Sequence, residues 1–97
     1  MIPYSRQDIS GADIKAVVKV LRSSHLTQGP AIESFEKALA KKVGAKYCVA
    51  FNSGTAALHA AYFAAGIGEG DEVIVPALTF AATANAALYL GATPVFC

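Results

Sequence analysis

The chain has 97 residues, of which 55% are hydrophobic and 15% charged, and its formal net charge is +1. So apolar a composition excludes an intrinsically disordered chain, because it offers ample surface to bury. The near balance of 8 Lys and Arg against 7 Asp and Glu excludes the basic footprint that nucleic-acid binding needs.

Two helices are predicted in the first half of the chain. Ser10 is a good N-cap with Asp13 in the first turn, and apolar residues then recur at helical spacing, which predicts a helix over 11–23. Pro30 suits the first position of a second helix, and Gly44 suits the left-handed residue that ends it. The polar connector between these helices is a candidate binding loop.

The pattern changes at Lys46 to alternating strands and helices. The apolar run 47–51 has strand length and is typical of a strand covered on both faces. After it we predict a helix over 56–65, a strand over 73–75, a helix over 79–90 and a third strand from Thr93. This order repeats the βαβ unit and predicts an α/β fold with parallel strands.

A three-stranded parallel sheet of this kind would have two open edges and incomplete helical cover. We therefore expect the 97 residues to be the amino-terminal part of a larger α/β protein. Within it, residues 1–45 form a helical arm with the binding loop, and 46–97 begin the sheet.

Small, hydroxyl-bearing residues stand where the first predicted strand meets a helix, at Ser53, Gly54 and Thr55. Exposed backbone N–H groups and the helix dipole favour an anion such as phosphate there, and Gly54 permits a close approach. The alternative is an ordinary N-cap in a tight turn. Neither a P-loop lysine nor a GxGxxG motif is present, and no acidic residue follows the second strand, which disfavours NAD.

Phe80 lies in the next strand-to-helix loop, among small residues. Ligands of open α/β sheets collect at that edge, so Phe80 is a candidate for stacking on a planar ring. The alternative is a core residue that covers the sheet.

Two cysteines, Cys48 and Cys97, form neither a disulfide framework nor a CxxC metal pair. This usage favours a reducing, cytoplasmic setting and no metal site. No apolar run approaches the roughly 20 residues of a membrane span, so we expect no membrane partner.

Ordered blocks along the whole chain resemble the nucleotide-sugar aminotransferases of the DegT type. The blocks are Ser53–His59, Gly68–Pro76, Thr79–Asn85 and Gly91–Phe96, with further matches upstream. Within the family, the opening Pro-Tyr-Ser and the segment Leu-Thr-Gln-Gly look most like the transaminases of pseudaminic acid synthesis.

The resemblance implies the amino-terminal part of the large domain of a fold-type I enzyme that uses pyridoxal 5′-phosphate (PLP). The cofactor-binding residues it implies are Ser53, Gly54 and Thr55 at the PLP phosphate and Phe80 on the pyridine ring. The residues it implies for the sugar nucleotide are Tyr4, Ser24, His25, Leu26, Thr27 and Gly54. Gly54 stands where other members carry Ala or Cys.

The activity implied is transfer of an amino group from a donor such as glutamate to a nucleotide-linked 4-keto-6-deoxy sugar, by a homodimer. No catalytic residue is assigned in this chain, because the family's cofactor-binding lysine lies farther along than residue 97, and we expect the 97 residues alone to be inactive. All 6 lysines present are predicted to be structural. Two alternatives stay open: a PLP-dependent sugar dehydratase, whose relatives carry histidine in place of that lysine, and a non-catalytic module that binds a phosphorylated ligand.

Overall fold

The computed structural model describes residues 5–97. Its elements are, in order, α1 (Gly11–Leu21), α2 (Pro30–Val43), α3 (Gly54–Ala64), β1 (Glu72–Val75), α4 (Ala82–Leu88) and β2 (Thr93–Phe96). They belong to two compact units, of which the first ends at Cys48 and the second is Val49–Cys97. None of the helices within 5–97 has the length and apolar character needed to cross a bilayer.

Helix α1 begins with the predicted N-cap. The Ser10 hydroxyl accepts from the Asp13 N–H at 3.3 Å, and the Asp13 carboxylate accepts from the Ser10 N–H at 2.7 Å. This reciprocal pair satisfies donors that a helix start leaves open. The helix ends at Leu21, earlier than predicted, because the backbone N–H and the hydroxyl of Ser23 both turn back to the Val20 carbonyl.

Helix α2 has the predicted ends. Pro30 is its first residue, where the missing N–H costs nothing. Gly44 follows the last turn with φ of 70°, a left-handed conformation that glycine adopts without strain. On the exposed side of the helix, Glu33 and Lys37 form the ion pair expected one turn apart.

The second unit is built around α4. Strands β1 and β2 pair in parallel, as predicted, with Val75 opposite Phe96. Helix α4 packs against both strands and against α3. Its buried residues are all alanines, Ala82, Ala84, Ala86 and Ala87, which lets the helix approach its neighbours closely. Val75 is the one large side chain among the described residues that is fully buried.

Besides small shifts at the ends of α1 and α3, two predicted elements differ from the structure. The run 47–51 forms no strand in the described part of the chain, where the sheet consists of β1 and β2, and Tyr47 and Val49 are 76% and 68% exposed. An apolar run becomes a strand only where a neighbouring strand accepts its hydrogen bonds. Helix α4 starts at Ala82 rather than Thr79, because the preceding residues form a turn in which the Phe80 carbonyl accepts from the Thr83 N–H.

Candidate functional site

The start of α3 presents unpaired backbone donors. Ser53 is the N-cap, and its hydroxyl accepts from the Ala56 N–H at 3.2 Å. The Ala57 N–H donates to the Ser53 carbonyl at 3.1 Å. Within residues 5–97, the N–H groups of Gly54 and Thr55 and the Thr55 hydroxyl have no hydrogen-bond partner. Three donors at the positive end of a helix dipole can bind an anion.

Gly54 lies in open space at this turn. A Cβ atom built on it would meet no atom of the described chain within 4 Å, and its φ is not positive. The fold of this chain therefore does not require glycine at position 54. Alanine, which the resemblance places there in other members, would fit.

Phe80 is not a core residue of the second unit. Its side chain is 78% exposed, in the bend between β1 and α4. Both faces of an exposed ring are available to a planar ligand. Polar groups near it in sequence are hydrogen-bonded. The hydroxyls of Thr79 and Thr83 are 2.9 Å apart, and the Tyr62 hydroxyl donates to the Thr83 carbonyl at 3.4 Å.

The predicted substrate loop is exposed throughout, at Ser24, His25, Leu26 and Thr27. The Ser24 hydroxyl lies 2.9 Å from Nδ1 of His25. That contact holds one ring nitrogen and leaves Nε2 to face solvent or a ligand. Tyr4, the fifth predicted substrate contact, lies outside the described residues.

The sequence interpretation missed the role of Gly29 in this loop. A Cβ atom on Gly29 would lie 2.9 Å from the His25 carbonyl oxygen and 3.0 Å from the His25 Cβ. The preceding residue, Gln28, has a φ of 50°, in the left-handed region. The loop thus folds back on itself before Pro30, and the Gln-Gly-Pro segment was the signal available for it.

The remaining titratable side chains form no second site. The 6 lysines, Lys15, Lys19, Lys37, Lys41, Lys42 and Lys46, are all exposed, as predicted. His59 lies on α3 and packs edge-on against Tyr89 at 5.4 Å between ring centroids. Across residues 5–97, no cluster of His, Cys, Asp and Glu is able to hold a metal ion.

The structure brings the predicted residues together in part. Ser53, Gly54 and Thr55 share one helix start, and Ser24 and His25 share one loop. No hydrogen bond joins the α3 turn to Phe80 within the described residues. The substrate loop belongs to the first unit and the α3 turn to the second.

The chain has the features of an α/β protein that binds a phosphorylated, planar ligand. Its strands are parallel, the start of α3 is open to an anion, and an aromatic ring is exposed in the loop between β1 and α4. The model of the DegT/DnrJ/EryC1/StrS aminotransferase family matches residues 7–97. The chain therefore belongs to this family.

Individual relatives agree with the assignment. The chain is 52% identical over 95 residues to the spore coat polysaccharide biosynthesis protein SpsC of Bacillus subtilis (strain 168), covering 98% of the chain and 24% of SpsC. It matches Helicobacter pylori PseC, an aminotransferase involved in the biosynthesis of pseudoaminic acid, at 41% identity and a TM-score of 0.87 over 98% of the chain and 26% of PseC.

A third relative indicates the cofactor of these enzymes. Spr1654 from Streptococcus pneumoniae matches at 42% identity over 98% of the chain and 24% of its own length, with TM-scores of 0.86 for its PLP-form and 0.85 for its PMP-form. The predicted fold class is confirmed by these neighbours. The chain spans about a quarter of the length of the relatives it matches.

Proposed function

We propose that this chain contributes the cofactor-phosphate turn, the ring-stacking residue and part of the sugar-nucleotide site of a PLP-dependent sugar aminotransferase. The reaction moves an amino group from a donor such as glutamate to a nucleotide-linked 4-keto-6-deoxy sugar. Membership of the aminotransferase family supports the reaction class. The described involvement of PseC in pseudoaminic acid biosynthesis, and of SpsC in that of a polysaccharide, supports a sugar substrate.

The proposal depends chiefly on the start of α3, where three donors have no partner among residues 5–97: the N–H groups of Gly54 and Thr55 and the Thr55 hydroxyl. Ser53 already accepts from Ala56, so its hydroxyl oxygen orders the turn and its proton remains to be donated. A dianionic phosphate accepts several such bonds, and the helix dipole adds to them. The residues of this turn fit the phosphate of PLP.

The exposed ring of Phe80 fits the second requirement of the cofactor, a face on which a pyridine ring can stack. Bound PLP supplies an electron sink for the movement of the amino group. The chain's own residues hold it: the α3 turn binds its phosphate, and Phe80 restricts the tilt of its ring. Holding both the phosphate and the pyridine ring of PLP would restrict its reactive carbon to one position.

The loop of Ser24, His25, Leu26 and Thr27 is the proposed contact for the sugar nucleotide, together with Tyr4 and Gly54. Its two hydroxyls and the free Nε2 of His25 are donors or acceptors suited to sugar hydroxyls and a diphosphate. The close approach of Gly29 to the His25 carbonyl supports a loop that is ordered before binding. Such preorganisation reduces the entropy lost on binding.

The lysine that binds PLP covalently is proposed to lie outside these 97 residues. A lysine with that role needs a desolvated amine of lowered pKa, and all 6 lysines of the chain are exposed. By itself the chain is therefore proposed to be inactive, and the active protein to be a homodimer. The cytoplasm is the location that its two free cysteines favour.

The first experiment expresses the protein from its own gene, incubates it with PLP, reduces it with borohydride and measures the intact mass. The aminotransferase proposal expects one pyridoxyl adduct on a product heavier than the 10.0 kDa of this chain. Amino transfer from glutamate to a UDP-linked 4-keto-6-deoxy sugar is then assayed. A product of 10.0 kDa without an adduct would instead identify a non-catalytic module.

Replacing Thr55 tests the phosphate turn directly. Thr55→Val removes one charge-assisted donor, so the Kd for PLP should rise by about 10- to 150-fold, equivalent to about 1.5 to 3 kcal/mol. Thr55→Ser keeps the hydroxyl and should bind PLP close to the wild-type level. Equal PLP affinity of Thr55→Val and the wild type, measured by titration, would contradict the assignment of this turn.

A further inference from the structure

Thr83 uses all three of its polar groups within the second unit. Its N–H donates to the Phe80 carbonyl at 3.0 Å, and its hydroxyl lies 2.9 Å from the Thr79 hydroxyl. Its carbonyl accepts from the Tyr62 hydroxyl at 3.4 Å. Thr83 itself is half-buried in the first turn of α4. One residue thus connects the turn of Phe80 to helix α3.

Phe80 lies in the chain between the two threonines that form this hydroxyl pair. Thr79 precedes it and Thr83 follows it, and the hydrogen bond between their hydroxyls closes the segment 79–83. The ring is 78% exposed, so packing against the described residues does little to fix it. Hydrogen bonds in the backbone and between the two hydroxyls are therefore what restrict the turn, because an untethered loop residue retains most of its conformational freedom.

Tyr62 connects these contacts to helix α3. It lies on α3, the helix whose first turn carries the free N–H groups of Gly54 and Thr55. A shift of the Phe80 turn relative to α3 would break the Tyr62 contact to Thr83. This hydrogen bond joins the helix that begins with the candidate phosphate turn to the segment that carries Phe80.

We infer that Thr83, paired with Thr79, is a positioning residue that sets the Phe80 ring for stacking on the cofactor. This inference rests on the proposed function, since it assumes that Phe80 stacks on PLP. Neither threonine is assigned a contact with PLP. Both act through the conformation of the segment 79–83.

The test measures the Kd for PLP and the visible circular dichroism of bound PLP in the protein expressed from its own gene. Thr83→Val removes the hydroxyl pair while keeping the shape of the side chain, and the Kd should rise roughly threefold to tenfold, the usual range for one hydrogen bond. At saturating PLP the dichroic signal should fall, because the ring is held less firmly. Thr83→Ser should restore both.

Thr79→Val breaks the same bond from an exposed position, where it leaves the buried part of α4 intact. Its effect should equal that of Thr83→Val, and the double variant should be no worse than either, because only one bond is lost. Thr93→Val is the matched control: Thr93 is exposed on β2, and its side chain makes no hydrogen bond within residues 5–97. It should bind PLP as the wild type does.

Wild-type Kd and dichroism in both Thr83→Val and Thr79→Val would overturn the positioning role. Additive losses, or no recovery in Thr83→Ser, would also overturn it, since each means that the hydroxyl pair is not the cause. Phe80→Leu distinguishes the stacking function of Phe80 from the positioning role of the two threonines. If Phe80→Leu leaves the Kd and dichroism unchanged, the stacking function of Phe80 is wrong, whereas a loss there with intact threonine variants refutes the positioning role alone.

Discussion

Gly29 and Gly54 both lie at helix starts, but they differ in the space that a side chain would have. At Gly29, added atoms would collide with the His25 carbonyl, a backbone group that cannot rotate away. At Gly54, the space is open. The residue alone does not distinguish them, because only the path of the surrounding chain determines what a Cβ atom would touch.

The two positions should therefore respond differently to alanine. Gly29→Ala should lower the free energy of unfolding by about 1 to 3 kcal/mol, the usual cost of overpacking. Gly54→Ala should leave it unchanged or raise it by up to about 1 kcal/mol, because alanine favours helix. Urea unfolding of the two variants and the wild type measures both values. Equal destabilisation by the two substitutions would contradict the geometry of the loop.

Helix α1 depends on the local pair of Ser10 and Asp13. Hydrogen bonds from the Ser10 hydroxyl, and then from the Ser10 N–H, lower the pKa of the Asp13 carboxyl below its ordinary value of 3.8. A carboxylate with a lowered folded pKa stabilises the fold above the unfolded pKa, and this contribution is lost as the pH falls through the folded pKa. The contribution of the Asp13 carboxylate to the cap is thus complete at neutral pH and is lost in acid, whereas the Ser10 hydroxyl still accepts from the Asp13 N–H.

Asp13→Asn should lower the helicity of α1 at pH 7 and weaken its response to acid below about pH 4. Asp8→Asn is the control, because Asp8 is exposed and its carboxylate has no hydrogen bond within 5–97. Amide chemical shifts of residues in α1, followed by NMR across this range, report the change. Identical acid responses of Asp13→Asn and Asp8→Asn would show that the capping pair contributes nothing to the pH dependence.

At the scale of the whole molecule, the chain has many more hydrophobic residues than its small core buries. Hydrophobic residues make up 55% of the sequence, yet the buried ones are alanines and Val75. Large apolar side chains on both helices of the first unit are exposed, including Ile14, Phe35 and Val43. Exposed apolar surface promotes association.

Residues 1–97 produced alone should therefore self-associate. The open edges of the β1–β2 pair add unpaired backbone groups to the exposed apolar surface. Size-exclusion chromatography with light scattering should give a mass above the 10.0 kDa of one copy, rising with concentration. A monodisperse monomer across the concentration range would show that the exposed surface is not adhesive.

Much of the candidate site was predictable from the sequence, because its signals are local. The N-cap role of Ser53, the loop around His25 and the position of Phe80 after a strand all follow from residues within a few positions of each other. The contacts of Thr83 with Tyr62 were not predictable, since they join residues 21 positions apart. Chain separation of that size leaves no trace in a local pattern.

The sequence by itself determined the family resemblance, the start of α1, both ends of α2 and the parallel β1–α4–β2 order, because caps, prolines and glycines act within one turn of their own position. Only the tertiary structure decided that 47–51 forms no strand in the described part of the chain, that Phe80 is exposed and that α4 is buried through alanines. These outcomes depend on which neighbour lies beside each segment. Pairing and burial are properties of the neighbours, and the local sequence does not specify them.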